Sequence, residues 1–270
     1  TPSTRTNQKF KMTSTKTLPI DFKDERGLKV FTNVVQNLPD DIEVYLIGGS
    51  LRNAIDRYFH DTGNLMQRDY DLLVTKNSQK FLDYLKYLGF YDGWIQRPTQ
   101  KVLIKSFVDN DDPEDFTNNM VFDIHLQDGT TALENLEKHV GLTLNGNALS
   151  LKDVFSEDWQ SRIVSLPDAM EALQARKIFI NYDGYKQLPS NLFAVIRFVH
   201  NQFEPPSREE LELLLRELPK LDDELYEKNV QKVYRYVGGE QHARDTAKKI
   251  GIVPDIYDRQ SVASYIESIS

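Results

Sequence analysis

Cysteine is absent from all 270 residues, so disulfides and thiolate-held metals are excluded and the redox compartment leaves no mark. No run of about 18 apolar residues occurs, the length that a membrane-crossing helix needs, so no membrane partner is expected. His60, His139, His200 and His242 show no ligand spacing, which argues against zinc. Acid is missing from residues 1–19, "TPSTRTNQKFKMTSTKTLP", which hold Arg5, Lys9, Lys11 and Lys16. That stretch reads as a flexible basic arm or part of a targeting segment, outside the fold. No internal repeat is visible.

What is present is an ordinary globular composition, 40% hydrophobic and 11% aromatic. The length suits one large or two modest domains with a real core. A net charge of −8 and a pI near 5.2 argue against nucleic-acid binding by the whole surface, although not by a local patch. The expectation is a soluble, cytoplasmic protein. Charge is also segregated. Residues 204–227 carry nine acids against Arg208, Arg216 and Lys220, and residues 228–250 reverse this with six Lys/Arg against Glu240 and Asp245.

Periodicity divides the chain. Leu28, Phe31, Val34, Val35 and Leu38 recur at helical spacing. "EVYLIG" then reads as a short buried strand, and "GSLRNAIDRYF" as a helix with Leu51, Ala54, Ile55, Tyr58 and Phe59 on one stripe. "YDLLVT", "KVLIKSFV" and "MVFDIHL" read as strands, with "SQKFLDYLKYLGF" as an intervening helix. From about residue 150 the pattern turns helical, notably at "SNLFAVIRFVHNQF", where Ser190 is the expected N-cap. The expected organisation is an arm over 1–19, an α/β (α+β) head with a small central sheet over 20–150, and a mainly helical neck and body domain over 151–270.

Three motifs carry chemistry. In "YLIGGSLRNAI" a hydrophobic strand runs into Gly48, Gly49 and Ser50 and opens a helix bearing Arg52. Backbone N–H groups at such a turn form a ready anion site. In "RDYDLLV" the alternation of strand side chains puts Asp69 and Asp71 on one face and sends Tyr70 and Leu72 into the core. Two adjacent carboxylates repel unless a cation lies between them, and oxygen ligands on a rigid strand suit Mg²⁺. In "VFDIHL", Asp123 between Phe122 and Ile124 supplies a third acid, sharing its strand face with His125. Read from the residues alone, an ordinary polar strand face is the competing account of the acidic pair, and a local hydrogen-bonding role that of His125.

The order "LIGGSLRNAI", "RDYDLLV", "FDIHL" resembles the head of the polymerase-β-like nucleotidyltransferases, closest to class II CCA-adding enzymes and bacterial poly(A) polymerases. The resemblance implies that Gly48, Gly49 and Ser50 line a triphosphate, with Arg52 near it and Arg68 preceding the acidic pair. Asp69 and Asp71, with Asp123, would hold two Mg²⁺ ions, Mn²⁺ being an alternative, and serve as the catalytic acids. Downstream the match erodes. Of a motif R-R-D-F-T-I-N-A-L the chain keeps Asn147, Ala148 and Leu149, with Gly141, Leu142 and Thr143 where the charged residues stand. Of D-P-x-R-x-x-R-A-I-R-F it keeps Pro189, Arg197 and Phe198, with Leu188, Asn191 and Ala194 as departures. The aspartate of G-G-x-V-R-D is Asn53, and no E-D-x-x-R segment occurs. Asn147 and Arg197 therefore complete the expected nucleotide-binding set, a structural salt bridge being the other account of Arg197.

The implied activity moves an NMP from an NTP, ATP and/or CTP, to an acceptor hydroxyl such as an RNA 3′ end, with nucleotide choice different from strict C-C-A addition. A small-molecule or protein acceptor, and a catalytically silent nucleotide- or RNA-binding descendant, stay open. Tyr234 and Tyr236 interleave with Lys232 and Arg235, the pattern of a single-strand binder or of a solvated amphipathic helix.

Overall fold

The computed structural model describes residues 22, 24–60, 69–108, 112, 115, 117–184 and 187–269. The basic arm and Arg68 lie outside the described residues. Helix and strand alternate through the first half: α1 (Glu25–Gln36), β1 (Glu43–Ile47), α2 (Gly48–His60), β2 (Tyr70–Lys76), α3 (Ser78–Tyr87), β3 (Tyr91–Arg97), β4 (Gln100–Ser106), β5 (Asn119–Leu126) and α4 (Ala132–His139). Two short strands follow, β6 (Asn147–Ser150) and β7 (Val164–Ser165). The rest is helical: α5 (Ala169–Ala175), α6 (Leu188–His200), α7 (Arg208–Glu217), α8 (Asp223–Val237), α9 (Glu240–Lys249) and α10 (Arg259–Ile269).

One seven-stranded sheet runs β3-β4-β5-β2-β1-β6-β7. Only β2 and β5 pair in parallel among the described strands, and their register sets Asp71 opposite Asp123. The sheet continues past residue 150, because β7 adds to β6 with Asn147 opposite Ser165. The edge strand β3 has no counterpart in the sequence reading. Most of its residues are exposed, so it lacks the buried alternation that marks a strand.

Local chemistry explains the helices that frame the sheet. Asp24 caps α1, its Oδ1 accepting from the Arg26 and Gly27 amides at 2.9 and 3.1 Å. The stripe of α1 buries Phe31 and Val34, and Phe31 meets Tyr70 and Phe122 of the sheet edge-on or tilted. Capping boxes open α4 (Thr131 with Glu134) and α7 (Ser207 with Glu210). The expected N-cap at Ser190 is corrected: α6 begins at Leu188, and the Ser190 hydroxyl donates to the Gln187 carbonyl at 3.0 Å. Pro189 suits the first helical turn, where its missing N–H costs nothing, and this moves the start upstream. One continuous core joins the sheet, through Leu46 and Phe122, to the helices, through Phe193, Leu214 and Val233.

A partly buried ion pair bolts α2 to the end of α5. Arg176 donates from Nε and Nη2 to the two oxygens of Asp56 at 3.2 and 2.8 Å, while its guanidinium lies 5.5 Å from the Phe203 ring. With side-chain exposures of only 22% and 11%, removing one partner strands the other charge. Asp56→Ala is therefore expected to cost about 3 kcal/mol. A urea titration should show a lower midpoint at unchanged slope, and a loss below about 1 kcal/mol would dismiss the bolt.

Candidate active site

The site begins at the β1–α2 turn. Gly48 has φ +65°, in the left-handed region, and a Cβ on it would run into the Asp71 carboxylate. The next amide, Gly49 N–H, donates to Asp71 Oδ2 at 3.2 Å. Strand β1 is hydrogen-bonded to β2 with Ile47 opposite Asp71, so pairing delivers the glycine turn onto the acid. Ser50 is 3% exposed, and its hydroxyl donates to the Ile47 carbonyl at 3.3 Å, closing the strand end. Of the expected glycine-serine seat, backbone and acid thus meet directly while the serine side chain is used within the turn.

The acids converge as alternation and register require. Burial, then repulsion from Asp69 and from Asp123, pushes the Asp71 carboxyl up to about 7, against the Gly49 amide and the Arg52 charge. Tyr70 between the acids is 6% exposed and lies in the core. Gln100, a residue without a sequence signal, donates from Nε2 to both oxygens of Asp123 at 2.9 and 3.1 Å and fixes that carboxylate. His125 joins the group, its Nε2 4.0 Å from Asp123 Oδ1. Ligand atoms of Asp71, Asp123 and His125 all lie within 4.8 Å of one another. Carboxylates drawn this close, with Asp71 held by the Gly49 amide and Asp123 by the Gln100 amide, form a donor set that fits a hard divalent cation.

Cations stand beside the acids. Arg52 on α2 donates from Nη1 to Asn145 Oδ1 at 2.8 Å, and from Nε and Nη2 to Asn53 Oδ1 at 3.2 and 2.9 Å. Both partners are neutral amides. Asn53 in place of aspartate therefore leaves the guanidinium its charge, and Asn145 is a second residue that sequence reasoning missed. Burial lowers the pKa of Arg52, while Tyr236, Asp71 and Asp56 raise it. Its guanidinium is 4.9 Å from the Phe198 ring on α6. The neighbouring Arg197 is held low by burial first and by Arg52 second, and its Nε is buried without a hydrogen-bond partner among the described residues. No salt bridge to Arg197 occurs among the described residues, against the structural account of it.

Other expected residues lie elsewhere. Asn147, 1% exposed, accepts from the Ser165 hydroxyl at 2.7 Å and donates to the Leu144 carbonyl at 3.3 Å, tying β6 to β7. Two departures from the resembled motifs explain each other. Gly141 packs against the Asn191 amide so closely that any Cβ would strike it, which leaves no room for an arginine at 141. Leu142, 1% exposed, bridges to Ile180 in the core.

No family model and no curated protein sequence matches the chain. Solved structures do. A Thermotoga maritima CCA-adding enzyme complexed with tRNA superposes with a TM-score of 0.58 and 16% identity, over 85% of this chain and 52% of that one. A CCA-adding enzyme in complex with ATP gives 0.60 and 15%, over 85% and 52%. A tRNA-processing enzyme in an apo form gives 0.59 and 12%, over 92% and 64%. The chain spans between about half and two thirds of the length of these proteins. At such identities the likeness is one of architecture, and what it establishes is that the chain shares the fold of these CCA-adding and tRNA-processing enzymes over most of its length.

Proposed function

We propose that this chain is a nucleotidyltransferase that moves an NMP from an NTP, ATP and/or CTP, to the 3′ hydroxyl of an RNA. The observation that carries the reading is the meeting of Asp69, Asp71 and Asp123 beside a glycine turn that one of them touches. Asp69, Asp71 and Asp123 would hold two divalent cations, Mg²⁺ or Mn²⁺, with His125 within reach of the same group. Such ions, when bound, polarise the acceptor oxygen and the α-phosphate and neutralise developing charge.

The chain's own residues orient the reactants. Gln100 keeps both oxygens of Asp123 turned to one side, so this carboxylate needs no reorganisation at the moment of reaction. Arg52, braced by Asn145 and Asn53, offers its charge to the departing phosphates. In the transfer the acceptor hydroxyl gives its proton to Asp123 as base, its oxygen forms a bond to the α-phosphorus, the bridge to the β-phosphate breaks, and pyrophosphate leaves with the negative charge. The helical part over 151–270 serves in this reading as neck and body.

The test is incubation with each α-³²P-labelled NTP separately, Mg²⁺ and total RNA. Label is expected in RNA, dependent on Asp69 and Asp71, with the favoured NTP showing the nucleotide choice. Label entering a small molecule or a protein instead would overturn the RNA acceptor. Binding of NTP with no transfer to anything would overturn the activity and favour a silent descendant.

A further inference from the structure

Helix α8 presents one open aromatic ring beside the site. Of the two tyrosines that the spacing set together, Tyr234 is turned into the helical core against Tyr257, whereas Tyr236 is 45% exposed. The Tyr236 hydroxyl accepts from Asn201 Nδ2 at 2.8 Å, and the Arg197 guanidinium lies 5.7 Å from its ring centroid. The ring thus rests on a cation, is tied at its rim by a hydrogen bond, and turns its remaining surface to solvent. A series of contacts leads from this ring to the acids. Arg197 directly precedes Phe198 on α6, and the Phe198 ring lies 4.9 Å from the Arg52 guanidinium. Arg52 Nη2 in turn is 3.5 Å from where a Cβ on Gly49 would stand, and the Gly49 amide donates to Asp71.

We infer that Tyr236, backed by Arg197 and braced by Asn201, is the platform on which the base of the incoming nucleotide stacks, and that it favours ATP over CTP. This rests on the transferase reading and names a determinant of its nucleotide choice. Every base offers a π-face, so a stacked ring holds bases without reading their edges, and the larger purine covers more of it. A single ring suits a single base. A strand binder needs successive rings along its groove, and the packing of Tyr234 withdraws the second one. The Asn201 bond fixes the ring before any base arrives, so little freedom is lost when one covers it. A nucleotide whose phosphates meet the glycine turn and Arg52 has its base one sugar further out. Tyr236 is the exposed ring that α6 and α8 bring past Arg52.

The experiment titrates ATP, CTP, inorganic tripolyphosphate and a short single-stranded RNA into the wild-type chain, Tyr236→Leu, Tyr236→Phe and Tyr87→Leu. Circular dichroism checks the fold of each. In Tyr236→Leu, ATP affinity is expected to fall about tenfold and CTP affinity about threefold, with tripolyphosphate within about twofold of wild type. Tyr236→Phe keeps the ring and loses only the Asn201 bond, so ATP affinity should stay within about threefold. Tyr87→Leu, which removes an exposed ring from the end of α3, should match wild type. A loss of tripolyphosphate as steep as that of ATP would make Tyr236 a mere support for Arg197 and overturn the platform. Unchanged ATP affinity overturns it too, as does a loss confined to RNA, which would put an acceptor base on the ring. The two readings fail separately. ATP affinity that depends on the ring, in a chain that transfers no NMP, keeps the platform and dismisses the transferase. NMP transfer with ATP affinity indifferent to Tyr236 does the reverse.

Discussion

Asp71→Asn is expected to lower nucleotidyl transfer by about a thousandfold or more, and to make the protein harder to melt without divalent cations. Both effects come from one charge. Asp71 is half-buried between Asp69 and Asp123, and its carboxyl is pushed up to about 7. A folded-state pKa above the unfolded value of 3.8 favours folding fully below 3.8 and loses that contribution as pH rises through about 7. At pH 8 the wild-type chain thus folds around an ionised, repelled carboxylate, whereas the asparagine carries no charge and its Oδ1 can still accept from Gly49. The variant should melt about 5 °C higher at pH 8 and about 1 °C higher at pH 5. Mg²⁺ should reverse the ranking at pH 8, since the ion stabilises the ionised group in wild type and has lost a ligand in the variant. Melting curves at the two pH values, with and without Mg²⁺, check this. Equal gains at pH 5 and pH 8 would mean that the acids do not repel one another as their geometry implies.

The part of this site that could be read beforehand is the part that short-range periodicity governs. Alternation put Asp69 and Asp71 on one face with Tyr70 in the core, and a strand carrying Asp123 between Phe122 and Ile124 became the parallel neighbour of β2. The stripes of α1 and α2 were equally visible, because an apolar face that must be buried leaves a 3.6-residue signal. Residues that act through neutral hydrogen bonds left no such trace. Gln100 and Asn145 are ordinary polar residues until pairing sets one against Asp123 and the other against Arg52. Helix α8 was legible as basic and aromatic but not in its orientation. Tyr234 lies tilted against Tyr257 at 5.2 Å in the helical core, whereas Arg235 is exposed and its Nε donates to the Gln231 carbonyl. What brings Tyr236 against Arg197 and Asn201 is the packing of α8 on α6, a contact between segments whose sequence distance carries no period.

Gly48→Ala provides the sharpest check on the turn itself. The alanine must hold φ near +65°, which costs an L-residue about 1–2 kcal/mol, and its Cβ would occupy the space of the Asp71 carboxylate. The carboxylate must then move away from the Gly49 amide and from Asp123, and a displacement of about 1 Å in a reacting constellation lowers a rate by about a hundredfold. Gly49→Ala is the matched control. A Cβ there meets only Arg52 Nη2 at 3.5 Å, an ordinary contact, and the residue lies in the first turn of α2, where alanine is favoured over glycine. Stability should therefore fall by about 2–3 kcal/mol in Gly48→Ala and hold or rise slightly in Gly49→Ala. A second background separates strain from collision. In Asp71→Ala the carboxylate is gone, so Gly48→Ala should cost about 1 kcal/mol less there than in wild type, a coupling that a double-mutant cycle measures directly. Additive costs would place the whole penalty in the backbone, and the close approach of turn and acid would then have no part in holding the Asp71 carboxylate. The expected coupling instead makes Gly48 the residue that lets the end of β1 and the acid-bearing strand β2 share one point in space.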